Sequence, residues 1–343
     1  MRPVNPRPFP IRLFPVLGLL AGLLSLSGCG KPAGQEFAFV TNGVDPFWTL
    51  AESGAKAAAA ERGLNVKVLM PAGGAVEQKN MLEDLLTRGV TGIAVSPIDA
   101  ANQIGLLDEV ASRAILITHD SDAPQSARRV FIGVDNYDAG RMCGQLVKEA
   151  LPEGGKIMIF IGRLEQDNAK LRRQGVIDEL LDRPRDTSRF DPPGAEIVGG
   201  KFVILGTLTD NFDRARAKAN AEDTLARHPD VGCLVGLFAY NPPAILEALE
   251  QAGKIGTVKV AAFDEQDRTL QGIRDGQVQG TVVQNPYEYG ARSVAVLQAL
   301  AAGDESVIPE SKVIHVPARQ IRKDNVDAFW AEKEAMLGGA DAK

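Results

Sequence analysis

FAFVTNGVDPFWTL, residues 37–50, decides how the rest of the chain is read. Its first four residues, Phe37, Ala38, Phe39 and Val40, form the short apolar run expected of a strand buried on both faces of a parallel sheet. Polar Thr41, Asn42 and Gly43 end that run. Asp45 suits a helix N-cap, and Pro46 suits the first helical position, where a missing N–H loses no intrahelical partner. Phe47 and Trp48 then fall in the first turn of a helix at the carboxyl end of the strand, the edge where open α/β sheets bind ligands. Aromatic residues make up 6% of the chain and only two are Trp, so this adjacent pair reads either as ligand-facing or as packing beneath the helix.

Outward from this stretch the same alternation recurs. Strand-like runs are expected at 37–40, 66–70, 92–95, 115–118, 130–134 and 157–161. More follow within 197–205 and at 233–237, 258–263, 280–283 and 313–316. Helix patterns lie between them, at 50–62, 76–88, 100–112, 139–150, 169–181, 213–227, 244–251, 269–275 and 287–301. Alternating β and α elements with short loops argue for parallel, doubly wound sheets. The strands are too many for one small sheet, so two α/β domains are expected. Residues 182–194, polar and Pro-rich, read as a surface excursion, and the chain after Trp330 reads as a polar, loosely held tail.

At 343 residues, 45% of them hydrophobic and 24% charged, the chain can fill two cores. Its amino end stands apart. Arg2, Arg7 and Arg12 precede an apolar segment, 13–24, that is short for a membrane span and broken by Pro15, Gly18 and Gly22. A basic region followed by a short apolar one is the pattern of a secretory signal. It runs into Leu26-Ser27-Gly28-Cys29, which resembles the bacterial lipobox, where cleavage leaves a lipid-modified cysteine. The expectation is a signal peptide over 1–28, lipidation at Cys29, a linker over 29–35, and an extracytoplasmic lipoprotein, periplasmic or at the cell surface. Loss of 1–28 removes three arginines and no acid, taking the formal charge from −6 to −9 and arguing against nucleic acid as a partner. Of the other cysteines, Cys143 and Cys233 are permitted a disulfide in such a compartment, although Cys233, in an apolar strand, reads as a buried thiol.

The segments that follow the strands share a chemistry. They hold Asp45-Pro46-Phe47-Trp48, Ser96-Pro97, His119-Asp120, Asn241-Pro242-Pro243, Asp264-Glu265 and Gln284-Asn285-Pro286. Helix starts add Asn168 with Arg172, and Asn211-Phe212-Asp213-Arg214. Asp and Arg exchange charge-assisted hydrogen bonds with vicinal hydroxyls, Asn and Gln both donate and accept, and aromatic faces cover the C–H face of a sugar ring. Capping explains any single Asp or Asn, and Ser96, Asn168 and Asp213 read that way alone. The whole set points to a neutral polyol.

The ordered series Asp45-Pro46-Phe47-Trp48, Asp120, Asn168 with Arg172 and Gly175, Asn211-Phe212-Asp213-Arg214, Asn241, Phe263-Asp264 and Gln284 resembles the periplasmic ribose/galactose-type sugar-binding proteins of ABC importers. The resemblance covers residues 37–330. It implies an α/β fold of two Rossmann-like lobes, each a parallel doubly wound sheet, joined by a three-strand hinge and closing on a sugar. The lobes would comprise 36–133 plus 286–313 and 134–285 plus 314–330, with 331–343 as the tail. By position, Phe47, Trp48 and Phe212 would sandwich the ring, while Asp45, Asp120, Arg172, Asn241, Asp264 and Gln284 would bind hydroxyls. Ser96 would join them where an Asn is usual, and Ser121 stands where ribose binders carry Arg after the Asp. His119 and the Pro242-Pro243 pair are further departures, implying a pocket larger or less charged than a ribose site.

Other functions make demands of their own on the sequence. The chain has no Gly-x-Ser-x-Gly elbow, phosphate loop or His-Glu-x-x-His, and His119, His228 and His315 lie far apart, so no catalytic or metal site is expected. A transcriptional regulator of this fold would carry a basic helix-turn-helix where the signal sequence stands. A sensor delivering its ligand signal to a chemoreceptor or kinase is the alternative that shares every feature above. The expected protein is a monomeric, cofactor-free, lipid-anchored solute-binding protein that delivers a sugar or polyol to an ABC importer permease.

Overall fold

The computed structural model describes residues 35–341 together with Met1 and Pro3; the rest of the expected signal peptide and Cys29 lie outside the described residues. The chain runs through β1 (Glu36–Val40), α1 (Pro46–Arg62), β2 (Asn65–Leu69), α2 (Gly74–Arg88) and β3 (Gly92–Val95). Then come α3 (Ala100–Arg113), β4 (Ile115–His119), β5 (Phe131–Gly133), α4 (Asn136–Ala150), β6 (Gly155–Ile161) and α5 (Asp167–Leu180). β7 (Ile197–Gly199), β8 (Phe202–Thr209), α6 (Arg214–Arg227), β9 (Val231–Gly236) and α7 (Asn241–Gln251) follow. The last third holds β10 (Lys259–Phe263), α8 (Asp267–Arg274), β11 (Gly280–Val283), α9 (Pro286–Ala301), β12 (Val313–His315), β13 (Arg319–Ile321) and α10 (Val326–Asp341).

The strands form two sheets, ordered β12-β5-β4-β3-β1-β2 and β13-β11-β10-β9-β6-β8-β7. The first is parallel throughout; the second is parallel except at its edges, where β13 and β7 run antiparallel. Strands such as β3 and β11 are buried along their whole length because helices cover both faces. α4 packs on β10 and β11, whereas α9 returns to β1, β3 and β4. The chain therefore passes between lobes three times, at 134–135, 284–285 and 316–318. The two-lobed α/β fold with a three-strand hinge agrees with the sequence reading. The last crossover lies just beyond the expected 313/314 boundary, because Ile314 and His315 still pair with β5.

α4 and α5 approach closely through Gly140 and Gly175, where an added Cβ would sit 2.0 Å from a backbone oxygen of the other helix. That contact fixes α5, and with it Arg172, against the second sheet.

Two local expectations are corrected. The single strand within 197–205 is a hairpin of β7 and β8, turned at Gly200, whose φ is +56°. The loosely held tail is helical to Asp341 and packs against α1 and α8, with Lys333 buried. Residues 182–194 are a surface excursion without a regular element, as expected, and are anchored by Arg183 and Arg189, which pair with the buried Asp178 of α5 at 3.5 and 2.6 Å. Cys143 and Cys233 are free, buried thiols whose burial pushes both well above the usual thiol range.

Candidate functional site

The cavity between the lobes has a volume of about 300 Å³ and is built from strand ends. From the first lobe, Asp45 caps α1 by accepting from the Phe47 amide at 3.0 Å, with Pro46 at the first helical position. The cap directs Phe47 and Trp48 to the cavity wall, their rings edge to face at 4.8 Å. Trp48 leans on His119 at 5.6 Å, and His119 stacks on Phe39 at 4.0 Å.

From the second lobe come Phe212, Phe238 and Tyr240, with Phe212 5.5 Å from Phe238 and 6.0 Å from Tyr240. Phe212 holds a φ of +65°, a conformation bulky residues rarely adopt. Its amide donates to Asp210 at 2.9 Å, and the preceding Asn211 amide donates to the Gly162 carbonyl at 2.9 Å. Strain held by its surroundings in this way is typical of ligand clamps.

Asp120 and Asp264 follow β4 and β10, also in the left-handed region at φ 58° and 65°. Asp120 Oδ2 accepts from Ser96 Oγ at 3.0 Å and from the Asn42 and Asn168 amides at 3.2 Å each. Asp264 Oδ1 accepts from Gln284 Nε2 at 2.7 Å. Burial raises both carboxyls; the nearby Arg172 guanidinium opposes the rise, and Asp120 settles at about 6. Arg172 is itself 1% exposed, with Nη1 donating to the Leu237 carbonyl at 2.8 Å and Nη2 to Asn136 Oδ1 at 2.9 Å. Its plane lies over the Phe263 ring at 4.1 Å, leaving further N–H groups on the cavity side.

The lobes touch across the cleft. Asp45 Oδ2 takes Arg214 at 2.8 Å and Gln266 at 3.1 Å, and Asn168 reaches Asp120 as above. The arrangement is therefore closed.

Of the ten sequence-predicted ligand residues, Asp45, Phe47, Trp48, Asp120, Arg172, Phe212, Asp264 and Gln284 line this cavity. Ser96 and Asn241 do not. Ser96 is fully buried behind Asp120 and orients it. Asn241 donates to Asp210 at 2.8 Å and accepts from the Phe238 amide at 3.0 Å, so it shapes the aromatic wall from behind. The cavity adds Asn42, Arg163, Gln166, Asn168, Arg214, Phe238 and Tyr240. Asn168 and Arg214 belonged to the polar series; Gln166 gave no signal, because a single Gln in a loop has many uses. Both polar atoms of the Gln166 amide and Asn168 Oδ1 are buried without a protein partner.

His119 is not part of the wall. Burial lowers it to about 3, so the ring is neutral, and its Nε2 lies 3.2 Å from the Val40 carbonyl, which fixes the proton on that nitrogen. It serves as packing under Trp48. Among the described residues, no three His, Cys, Asp or Glu side chains assemble as metal ligands.

The sequence profile described as a periplasmic binding protein domain matches residues 37–305. The ribose import binding protein of Haemophilus influenzae is 26% identical over 303 residues, 86% of this chain and 96% of that protein. The D-allose-binding periplasmic protein of Escherichia coli is 24% identical over 307 residues, 86% of this chain and 93% of the relative. Among solved structures, an ABC transporter solute-binding protein from Burkholderia graminis in complex with D-arabinose superposes with a TM-score of 0.75 at 28% identity, covering 85% of this chain and 96% of that one. With the profile spanning most of its length and both lobes in place, this chain belongs to the periplasmic binding protein family.

Proposed function

We propose that this protein captures a sugar or related polyol between its lobes and delivers it to an ABC importer permease. One observation carries the reading: aromatic clusters from both lobes meet across a closed cavity that also holds Asp45, Asp120 and Asp264 with Arg163, Arg172 and Arg214. Equal numbers of acids and guanidiniums suit a neutral ligand rich in hydroxyls. The names of the relatives, which specify ribose, allose and arabinose, support the same class.

In this reading Phe47, Trp48 and Phe212 cover the ring faces. Asp264 and Asp120 accept hydroxyl hydrogens, while the remaining Arg172 N–H groups donate. Gln166 and Asn168 add polar contacts from the second lobe. Asp45, through Arg214 and Gln266, holds the lobes together once they have rotated about the three crossovers. Anchoring would be by acylation of Cys29 after removal of 1–28, which mass spectrometry of membrane-extracted protein reads directly.

The function is tested by thermal shift and calorimetry with D-ribose, D-allose, D-arabinose, D-fucose and simple polyols. A ligand at 100 times its Kd adds about 2.7 kcal/mol of stability. At least one of these is expected to raise the melting temperature without being consumed. No shift with any at millimolar concentration contradicts sugar capture, and turnover of the bound sugar contradicts a purely binding role.

A further inference from the structure

The family match ends at residue 305, and α10 lies beyond it. This helix packs against α1 in the first lobe and α8 in the second. Towards α8, Asp327 pairs with Arg274 at 2.6 Å and Trp330 lies under the same guanidinium at 4.6 Å. Towards α1, Phe329 and Met336 share a small void with Leu50. Between these, Lys333 is 8% exposed, and its ammonium donates to the Glu265 carbonyl at 3.0 Å and to the Asp267 carboxylate.

That carbonyl occupies a particular place. Asp264 on one side of Glu265 lines the ligand cavity at φ 65°, and Gln266 on the other reaches Asp45 of the opposite lobe at 3.1 Å. A non-glycine residue stays in the left-handed region only where its surroundings over-determine it. The Glu265 carboxylate takes no part in this: it is buried without a hydrogen-bond partner.

We propose that Lys333 is a positioning residue for the binding cleft, and that α10 acts through it as a strap favouring the closed arrangement. The lysine fixes the peptide that links the cavity carboxylate to the interlobe bridge. Because α10 holds an element of each lobe, rotation of one lobe against the other must slide or release one of its contacts. The affinity part of the test rests on the sugar reading above; the exchange part does not.

Lys333→Met keeps the buried stem and removes the amine, while Lys333→Arg keeps a donor. In the ligand-free protein, amide hydrogen exchange over residues 264–270 is expected to quicken about tenfold in Lys333→Met and to return towards the original rate in Lys333→Arg. Affinity for whichever of D-ribose, D-allose and D-arabinose binds tightest should fall about tenfold in Lys333→Met, through faster dissociation. Unchanged exchange in that segment overturns the proposal. Recovery of affinity in the Glu265→Gln/Lys333→Met double variant overturns it too, because the lysine would then act only by compensating a buried acid. Should Lys333→Met fail to fold, Lys333→Gln carries the same measurements. If neither these three nor the rest of the sugar and polyol panel binds the unaltered protein, the sugar reading fails and exchange alone decides the role of Lys333.

Discussion

Asp120 and Asp264 hold the same place in the two lobes and are used differently. Each follows the fourth strand of its parallel series with a left-handed φ. Each amide donates to the neighbouring strand, at 3.1 Å to Ile132 and 2.8 Å to Val282. The side chains then diverge. Asp120 is held by three donors, Ser96, Asn42 and Asn168, whereas Asp264 is held by Gln284 alone. One backbone device thus yields a carboxylate with one oxygen, Oδ2, committed to the frame and another with more of its acceptor capacity left for a ligand. The same contrast extends to the walls, since Asn42 of the first lobe is paired while Gln166 of the second is not.

The contrast is sharpest in Asp264→Asn. Replacing an acceptor oxygen by a donor facing hydroxyls is expected to remove about 2–4 kcal/mol of sugar binding, roughly 30- to 1,000-fold in Kd. Ligand-free melting should change little. Calorimetry decides this, and retained affinity would assign Asp264 to capping alone.

pH separates binding from stability. The ionised Asp264 carboxylate is the main acceptor, so affinity should weaken as pH falls through about 7, the value burial gives it, by up to tenfold per pH unit. Stability runs the other way. Burial raises the folded-state value above the ordinary 3.8, so the contribution of Asp120 to folding is present at low pH and is lost as pH rises through about 6. Affinity and ligand-free melting should therefore move in opposite directions between pH 7 and 5. Affinity that stays unchanged over this range would show that the carboxylates matter only to the fold.

The unpaired amide gives the next effect. Gln166→Leu is expected to weaken sugar binding by about 1–2 kcal/mol while leaving ligand-free melting unchanged or higher, because it removes a buried polar group without a protein partner. A lower melting temperature with unchanged affinity would make Gln166 a structural residue. The smallest effect is expected for Asp120→Asn, about 1 kcal/mol in affinity, since the Asn oxygen can still receive the three donors. If Asp120→Asn exceeds Asp264→Asn, the division of labour between the lobes is reversed.

Much of this was legible in the sequence. The apolar Phe37–Val40 run, the Asp45-Pro46 cap and the polar strand ends follow from local rules that the fold does not override. Ser96 and Asn241 illustrate the limit. Both stand at the binding edge, but loop geometry turns one behind Asp120 and the other behind the aromatic wall. α10 was hidden for another reason. Its buried face mixes Phe329 with Lys333, so no clean apolar stripe marks it, and its packing depends on partners far away in the chain. The 182–194 excursion shows the same limit, since its ion pairs reach Asp178, a residue that only the folded chain buries.

The most direct test is a crystal structure of the protein with its tightest-binding sugar. The ring is expected between the Trp48 and Phe212 side chains, with hydroxyl oxygens about 2.5–3.0 Å from the Asp264 carboxylate. A sugar bound elsewhere, or in the cleft with Asp264 facing no hydroxyl, would contradict capture between the lobes by this pair of walls.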